Sequence, residues 1–297
     1  MSSMRRDPSH RSVLPARSWG NAPKPVRAGG GRLSVVVPAR DEAESLPELV
    51  EEIARALRPL TAGRKAGPRL LGFEIVLVDD GSTDATPEVL RRLAARYPEL
   101  RPVRLAGNVG QSAATAAGFL VASGGWVATL DADLQNDPAD LARLWDALPG
   151  HDAALGWRSK REDVWSKRVI SRWANRVRNL VLGQSIRDTG CSVRVFRRET
   201  ALRLPAFRGC HRFYGPLLVR EGCSIVQVPV NHRPRAHGAS HYTLWNRSAR
   251  VLVDLFGVAW LMQRPARYEV VAGSVGAEAF DHPPAPYRVR RGRRQEV

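Results

Sequence analysis

A chain of 297 residues, 43% hydrophobic and 25% charged, is long enough to bury a substantial core. It has the composition of a soluble globular protein, which excludes a fibrous or wholly disordered chain. Three cysteines, Cys191, Cys210 and Cys223, exclude a disulfide framework and fit a reducing, cytoplasmic setting. The net charge of +17 calls for an anionic partner, either nucleic acid, an acidic membrane surface or a phosphorylated substrate.

The placement of that charge is more telling than its size. Residues 33–150 carry 12 basic and 17 acidic side chains, whereas residues 151–265 carry 21 and 7. Only four of the 46 basic residues are lysine, and arginine grips phosphate in a bidentate fork. No N-terminal apolar core with a cleavage site signals secretion. No segment reaches the roughly 17–25 apolar residues of a membrane span.

Along the chain, residues 1–32 are rich in Pro, Gly, Ser and Arg and read as a disordered basic arm. Strand 33–37 leads to a helix over 45–58 with Pro47 in its first turn, a tolerated position. Strand 73–78 is followed by Thr86-Pro-Glu88, an N-cap, an N1 proline and an acidic first turn. A short strand over 101–105, an alanine-rich helix from Gly110 to Ser123 and strand 126–130 complete a βαβα rhythm. That rhythm predicts an α/β fold, a mostly parallel sheet with helices on both faces. The second half is less regular. Its two amphipathic stretches, 163–182 and 244–262, interleave Trp with Arg. They read either as core-packing helices with solvated arginines or as helices lying on anionic lipid. Residues from 266 onward read as a flexible tail, and its Arg290–Arg294 cluster as solvated.

Three acidic loops follow successive strands: Pro38-Ala-Arg-Asp-Glu42, Asp79-Asp-Gly-Ser-Thr-Asp84 and Asp131-Ala-Asp-Leu-Gln135. Residues i and i+2 at a strand end point to one side, so Asp131 and Asp133 leave the sheet together with Ala132 turned away. Such a pair is either two solvated acids in a turn or the oxygen ligands of a hard divalent cation, Mg²⁺ or Mn²⁺. Three such loops at the edge where open α/β sheets bind ligands describe a nucleotide–metal crevice. No dinucleotide or P-loop glycine pattern is present. His232, His237 and His241 lack a cysteine or carboxylate at zinc-ligand spacing.

These loops, with Asp188-Thr-Gly-Cys-Ser192, resemble the family 2 glycosyltransferases of GT-A fold. Within that family the dolichol-phosphate mannosyltransferases and undecaprenyl-phosphate sugar transferases are the nearer resemblance. The likeness spans roughly residues 33–262. It implies one GT-A domain over 33–265, with a nucleotide and metal half (33–150) and an acceptor half (151–265), plus a C-terminal amphipathic helix.

The resemblance also implies roles. Pro38, Arg40, Glu42, Val78, Asp79, Asp80 and Ala132 would line the nucleotide-sugar pocket. Asp131, Asp133 and Gln135 would hold Mg²⁺ or Mn²⁺. Arg158, in Gly156-Trp-Arg158, would reach the diphosphate or the acceptor phosphate. Arg187 and Ser192 would bracket the acceptor, with Asp188 organising their loop. Arg235 and His241 would close over the donor phosphates. His241 stands where related proteins carry lysine, exchanging a fixed cation for one that titrates near neutrality.

The implied reaction moves a sugar from a UDP- or GDP-sugar to a polyprenyl phosphate, with inversion, at the cytoplasmic face of a membrane. Such an acceptor is already anionic and needs no general base, only positioning and charge stabilisation. Peripheral attachment would come from one or both amphipathic helices, aided by the basic arms, with no nucleic acid expected. Two rivals stand beside it. One transfers to a glycan hydroxyl with Asp188 as base. The other is a non-catalytic, basic nucleic-acid- or membrane-binding protein.

Overall fold

The structure, a computed structural model, describes residues 12–14, 31–63, 68–159, 181–183, 185–234, 244–264, 270–272 and 289–291. In chain order the strands and first helices are β1 (Ser12–Leu14), β2 (Gly31–Ala39), α1 (Leu46–Thr61), β3 (Leu70–Asp79), α2 (Thr86–Arg96), β4 (Leu100–Arg104), α3 (Gln111–Val121), β5 (Trp126–Thr129) and α4 (Ala139–Asp146). Then come β6 (Ala153–Arg158), β7 (Arg194–Arg197), β8 (Ile225–Val230), the helix Leu244–Gln263, β9 (Val270–Ala272) and β10 (Val289–Arg291).

The central strands are apolar in both phases of their alternation, the pattern of strands covered on two faces. Val35, Val37, Ile75 and Leu77 pack with Leu49, Ile53 and Leu57 of α1 and with Leu141 and Leu144 of α4. Val36, Val76 and Val78 face the opposite layer, with Phe119 of α3 and with Phe213, Tyr214 and Leu217. Gly118 lets α3 lie directly against the sheet, because a Cβ there would run into Val36 and Val78.

The sheet order is β1-β8-β6-β7-β5-β2-β3-β4. From β2 the chain winds outward through parallel β3 and β4, then returns to place β5 parallel on the other side of β2. The order therefore reverses between β2 and β5, and a crevice opens at the carboxyl ends of strands at such a switch point. The expected α/β sheet with helices on both faces is present.

Several local features differ from the sequence reading. β7 runs antiparallel between β5 and β6, a central strand hidden in the sequence by an arginine at each end of its four residues. Within the basic arm, Ser12–Leu14 pairs antiparallel with the edge of β8, and in the tail β9 and β10 pair in parallel. Thr86 does not cap its own helix. Its Oγ1 accepts the Glu42 N–H at 2.9 Å, while Asp84 Oδ1 accepts the Thr86 N–H at 2.9 Å. The two loops that follow β2 and β3 are thereby laced together.

Candidate active site

The first acidic loop is held by its own side chains. Asp41 takes the left-handed conformation, φ 53°, which a short polar side chain tolerates. Its Oδ1 accepts the Thr83 N–H at 2.7 Å, and its N–H donates to Ser82 Oγ at 2.9 Å. The Thr83 amide first, joined by the Asp84 amide and the Thr83 hydroxyl, holds the Asp41 carboxyl below the usual range despite some burial. Glu42 Oε2 accepts the Ser45 hydroxyl at 2.7 Å. Arg40 is exposed, with Nε 3.5 Å from Asp41 Oδ2.

The two aspartates after β3 divide their work. Asp80 spends both oxygens on the loop that opens α3, accepting the Val109 N–H at 2.8 Å and the Gly110 N–H at 2.9 Å. Asp79 is 1% exposed. Its Oδ1 accepts the Ser82 N–H at 2.8 Å, but Oδ2 has no hydrogen bond. Arg104 Nε stands 3.4 Å from that oxygen without the alignment of a hydrogen bond. Val78 and Ala132 bury their side chains in the core, so a nucleotide contact from either is confined to its backbone.

At the end of β5, Leu130 N–H still donates to Val36 O, which carries Asp131 to the mouth of the crevice beside β2. Asp131 Oδ1 accepts Gln111 Nε2 at 2.8 Å. Burial first, and then the Asp133 charge, push the Asp131 carboxyl above its usual range against a hydrogen bond from Ser192. Asp133 Oδ1 accepts the Gln135 N–H at 3.2 Å, and Leu134 between them has φ 59°. One carboxylate raising another's proton affinity, in a set made wholly of oxygen donors, fits a hard divalent cation. The loop is braced from outside. Arg233 N–H donates to Gln135 O at 2.8 Å, and its guanidinium reaches Glu52 at 2.8 Å and Asp137 at 3.0 Å.

The acceptor half meets this edge through the 188–192 loop. Arg158 holds Asp188 in a fork, Nε to Oδ2 at 2.7 Å and Nη2 to Oδ1 at 3.0 Å. The Gly190 N–H also donates to Oδ1 at 3.1 Å. Arg187 lies 4.9 Å from the Trp157 ring centre, and its N–H donates to Gln227 Oε1 at 2.8 Å. Ser192 Oγ accepts Asn136 Nδ2 at 2.8 Å. Burial lifts the Cys191 thiol to about 11, an inert packing group. Arg235 and His241 lie outside the described residues, as does nearly all of the 163–182 stretch.

Between these loops lies a cavity of about 300 Å³, walled by Pro38, Gln111, Asp131, Ser192, Arg194 and His211 among others. Gln111, Arg194 and His211 are functional candidates that the sequence did not single out. No motif marks them, because α3, β7 and the short 3-10 helix Cys210–Phe213 come together only in the folded chain.

The sequence pattern of glycosyl transferase family 2 matches residues 34–203. The dodecaprenyl-phosphate galacturonate synthase of Rhizobium johnstonii is 36% identical over 250 residues, 82% of this chain and 71% of that protein. The undecaprenyl-phosphate 4-deoxy-4-formamido-L-arabinose transferase of Edwardsiella ictaluri is 37% identical over 251 residues, 82% of this chain and 72% of that one. Among solved structures, the chain resembles a mannosyltransferase from Pyrobaculum calidifontis in complex with GDP-Man and Mn²⁺ (TM-score 0.54, 24% identity, 84% of this chain and 69% of that chain). It also resembles glucosyl-3-phosphoglycerate synthase from Mycobacterium tuberculosis in complex with Mn²⁺, UDP and phosphoglyceric acid (TM-score 0.58, 20% identity, 80% of each chain). These two likenesses speak to the fold.

Proposed function

Because the chain belongs to glycosyl transferase family 2, a family of sugar-transferring enzymes, we propose that it moves a sugar from a nucleoside-diphosphate sugar to a polyprenyl phosphate. The observation that carries the reading is the Asp131–Asp133 pair at the β2/β5 switch point, beside buried Asp79, one of whose oxygens accepts no hydrogen bond. Both relatives named above act, by their names, on polyprenyl phosphates. One name specifies a uronic sugar and the other a formamido pentose.

Asp79 Oδ2 is the acceptor suited to a nucleobase N–H, while Asp80 shapes the loop around it. Asp131, Asp133 and Gln135 would hold Mg²⁺ or Mn²⁺, which when bound neutralises charge on a leaving diphosphate. The acceptor phosphate attacks the anomeric carbon as an anion, and a single displacement inverts that centre. It needs positioning and cations more than a base. Arg187, Ser192 and the Arg158–Asp188 fork frame its approach, and Arg235 and His241 are assigned to the donor phosphates. Both Asp188 oxygens already accept hydrogen bonds, which weighs against Asp188 as the base for a glycan hydroxyl.

No helix among the described residues is long and apolar enough to cross a membrane. The helix Leu244–Gln263 buries Leu255 and Val258 but exposes Val253, Phe256 and Trp260 at 71%, 65% and 59%. Spaced by three and four, these form one apolar stripe, with the Arg264 guanidinium 5.4 Å from the Trp260 ring centre. Trp with a basic neighbour suits the lipid interface, and we assign peripheral membrane attachment to this stripe.

The test is transfer of radiolabelled sugar from UDP- and GDP-sugars to undecaprenyl phosphate in detergent, with Mg²⁺ or Mn²⁺ and an EDTA control. Metal-dependent, solvent-extractable label is the expected result. Nucleotide binding without lipid product from any donor overturns the acceptor assignment.

A further inference from the structure

The cavity beside Asp131 is a half-open cleft next to the carboxylates. At about 300 Å³ it stands at the low end of small-molecule sites, room for one sugar ring in the recess itself. Gln111, Thr115, Thr129 and Ser192 supply amide and hydroxyl groups along its wall, the usual partners of sugar hydroxyls. Arg194 breaks that pattern. It opens β7, is 5% exposed and lines the same cavity.

A guanidinium has five N–H donors. Outside the β-ladder, Arg194 gives one hydrogen bond to the protein, Nη2 to Thr189 O at 3.0 Å, and its centre lies 5.6 Å from the Tyr214 ring centre. Asp131 and Asp188 attract it, but among the described residues neither forms an ion pair with it. Asp188 is held by Arg158, and Asp131 belongs to the proposed cation site. The other N–H donors of Arg194 are not among the enclosed polar atoms that lack a partner, and the residue lines the cavity, so they are open to a ligand there and suit an anion. The phosphates of both substrates already have Arg158, Arg187 and Arg235 assigned to them.

Resting on the transfer reading above, we propose that Arg194 pairs with a carboxylate on the transferred sugar, so that the donor is a nucleotide-linked uronic acid. A carboxylate meets a guanidinium through two parallel hydrogen bonds. A neutral hydroxymethyl group at the same place leaves buried donors unpaired and is selected against. His211 lies along the same wall. Its Nδ1 is 2.7 Å from Ser112 Oγ, which also accepts the Gly209 N–H at 2.9 Å. This contact fixes the ring that borders the sugar.

The experiment compares donors that differ only at this group: UDP-galacturonate with UDP-galactose, UDP-glucuronate with UDP-glucose, and GDP-mannuronate with GDP-mannose. Each pair is measured by calorimetric binding with Mn²⁺ and by transfer to undecaprenyl phosphate. In one pair the uronate is expected to be favoured by at least about tenfold, and Arg194→Gln is expected to bring that ratio close to one. Equal or better use of the neutral sugar in every pair overturns the proposal. So does an Arg194→Gln protein that weakens both members of a pair alike, or that raises KM for undecaprenyl phosphate at an unchanged ratio; either places the arginine on a phosphate. If Arg194→Gln does not fold, the wild-type ratio decides. Absence of lipid product from any donor counts against the transfer reading, while the binding ratio still reports on the pocket.

Discussion

Asp131 answers to stability and to ligand binding at once. Its carboxyl is raised by burial and by Asp133, so between the unfolded and the folded value the folded protein binds more protons than the unfolded chain. Ionised Asp131 therefore costs stability once pH has risen through that raised value. At neutral pH, Asp131→Asn is expected to raise Tm, because it removes a charge that the folded state disfavours. It is also expected to abolish transfer and to remove the Tm increase expected of the wild type with Mn²⁺. A lower Tm with the metal response intact contradicts this account. The Arg158–Asp188 fork behaves in the opposite way, since its side chains are 17% and 9% exposed. Asp188→Asn strands a mostly buried guanidinium and is expected to cost about 3 kcal/mol in urea unfolding. Arg158→Met combined with Asp188→Leu is expected to recover much of that stability without restoring transfer. If the double variant is no more stable than Asp188→Asn, the two residues do not act as a pair.

Elements set where these residues can stand. α3 carries Gln111 to Asp131 at one end and rests on the sheet through Gly118, where a Cβ would meet Val36 and Val78. Gly118→Ala is expected to overpack that contact and destabilise by about 1–3 kcal/mol, read as a lower urea midpoint at an unchanged slope. An unchanged midpoint would mean that α3 shifts freely. The helix Leu244–Gln263 makes a separate prediction, because its Val253–Phe256–Trp260 stripe faces away from buried Leu255 and Val258. Phe256→Ser with Trp260→Ser is expected to reduce co-sedimentation with anionic vesicles at least tenfold while thermal unfolding of the fold stays near that of the wild type. Undiminished vesicle binding would move the membrane contact elsewhere on the chain.

Across the whole molecule, the acidic first half and basic second half meet at one sheet edge. Carboxylates after β3 and β5 stand there beside the arginine-bearing loops after β6 and before β7. The transfer proposed above needs that arrangement, with arginines and a carboxylate pair supplied from opposite sides of the crevice.

β2, β3 and β5 were legible because parallel strands buried on both faces are continuous apolar runs, and each ends in a visible acidic loop. The family, the α/β class and the Asp131–Asp133 pair follow from those local patterns alone. β7 was not legible, since arginines at both ends of Arg194–Arg197 look like surface residues until β5 and β6 enclose them. Nor does a sequence divide labour between adjacent Asp79 and Asp80. Only the fold decides that Asp80 bonds the amides of Val109 and Gly110 while Asp79 keeps a buried oxygen free of hydrogen bonds. Periodicity and turn chemistry act between near neighbours in the chain and are written in it. Burial of a charge, and the cavity around Arg194 and His211, depend on segments that meet only after the sheet has closed around them.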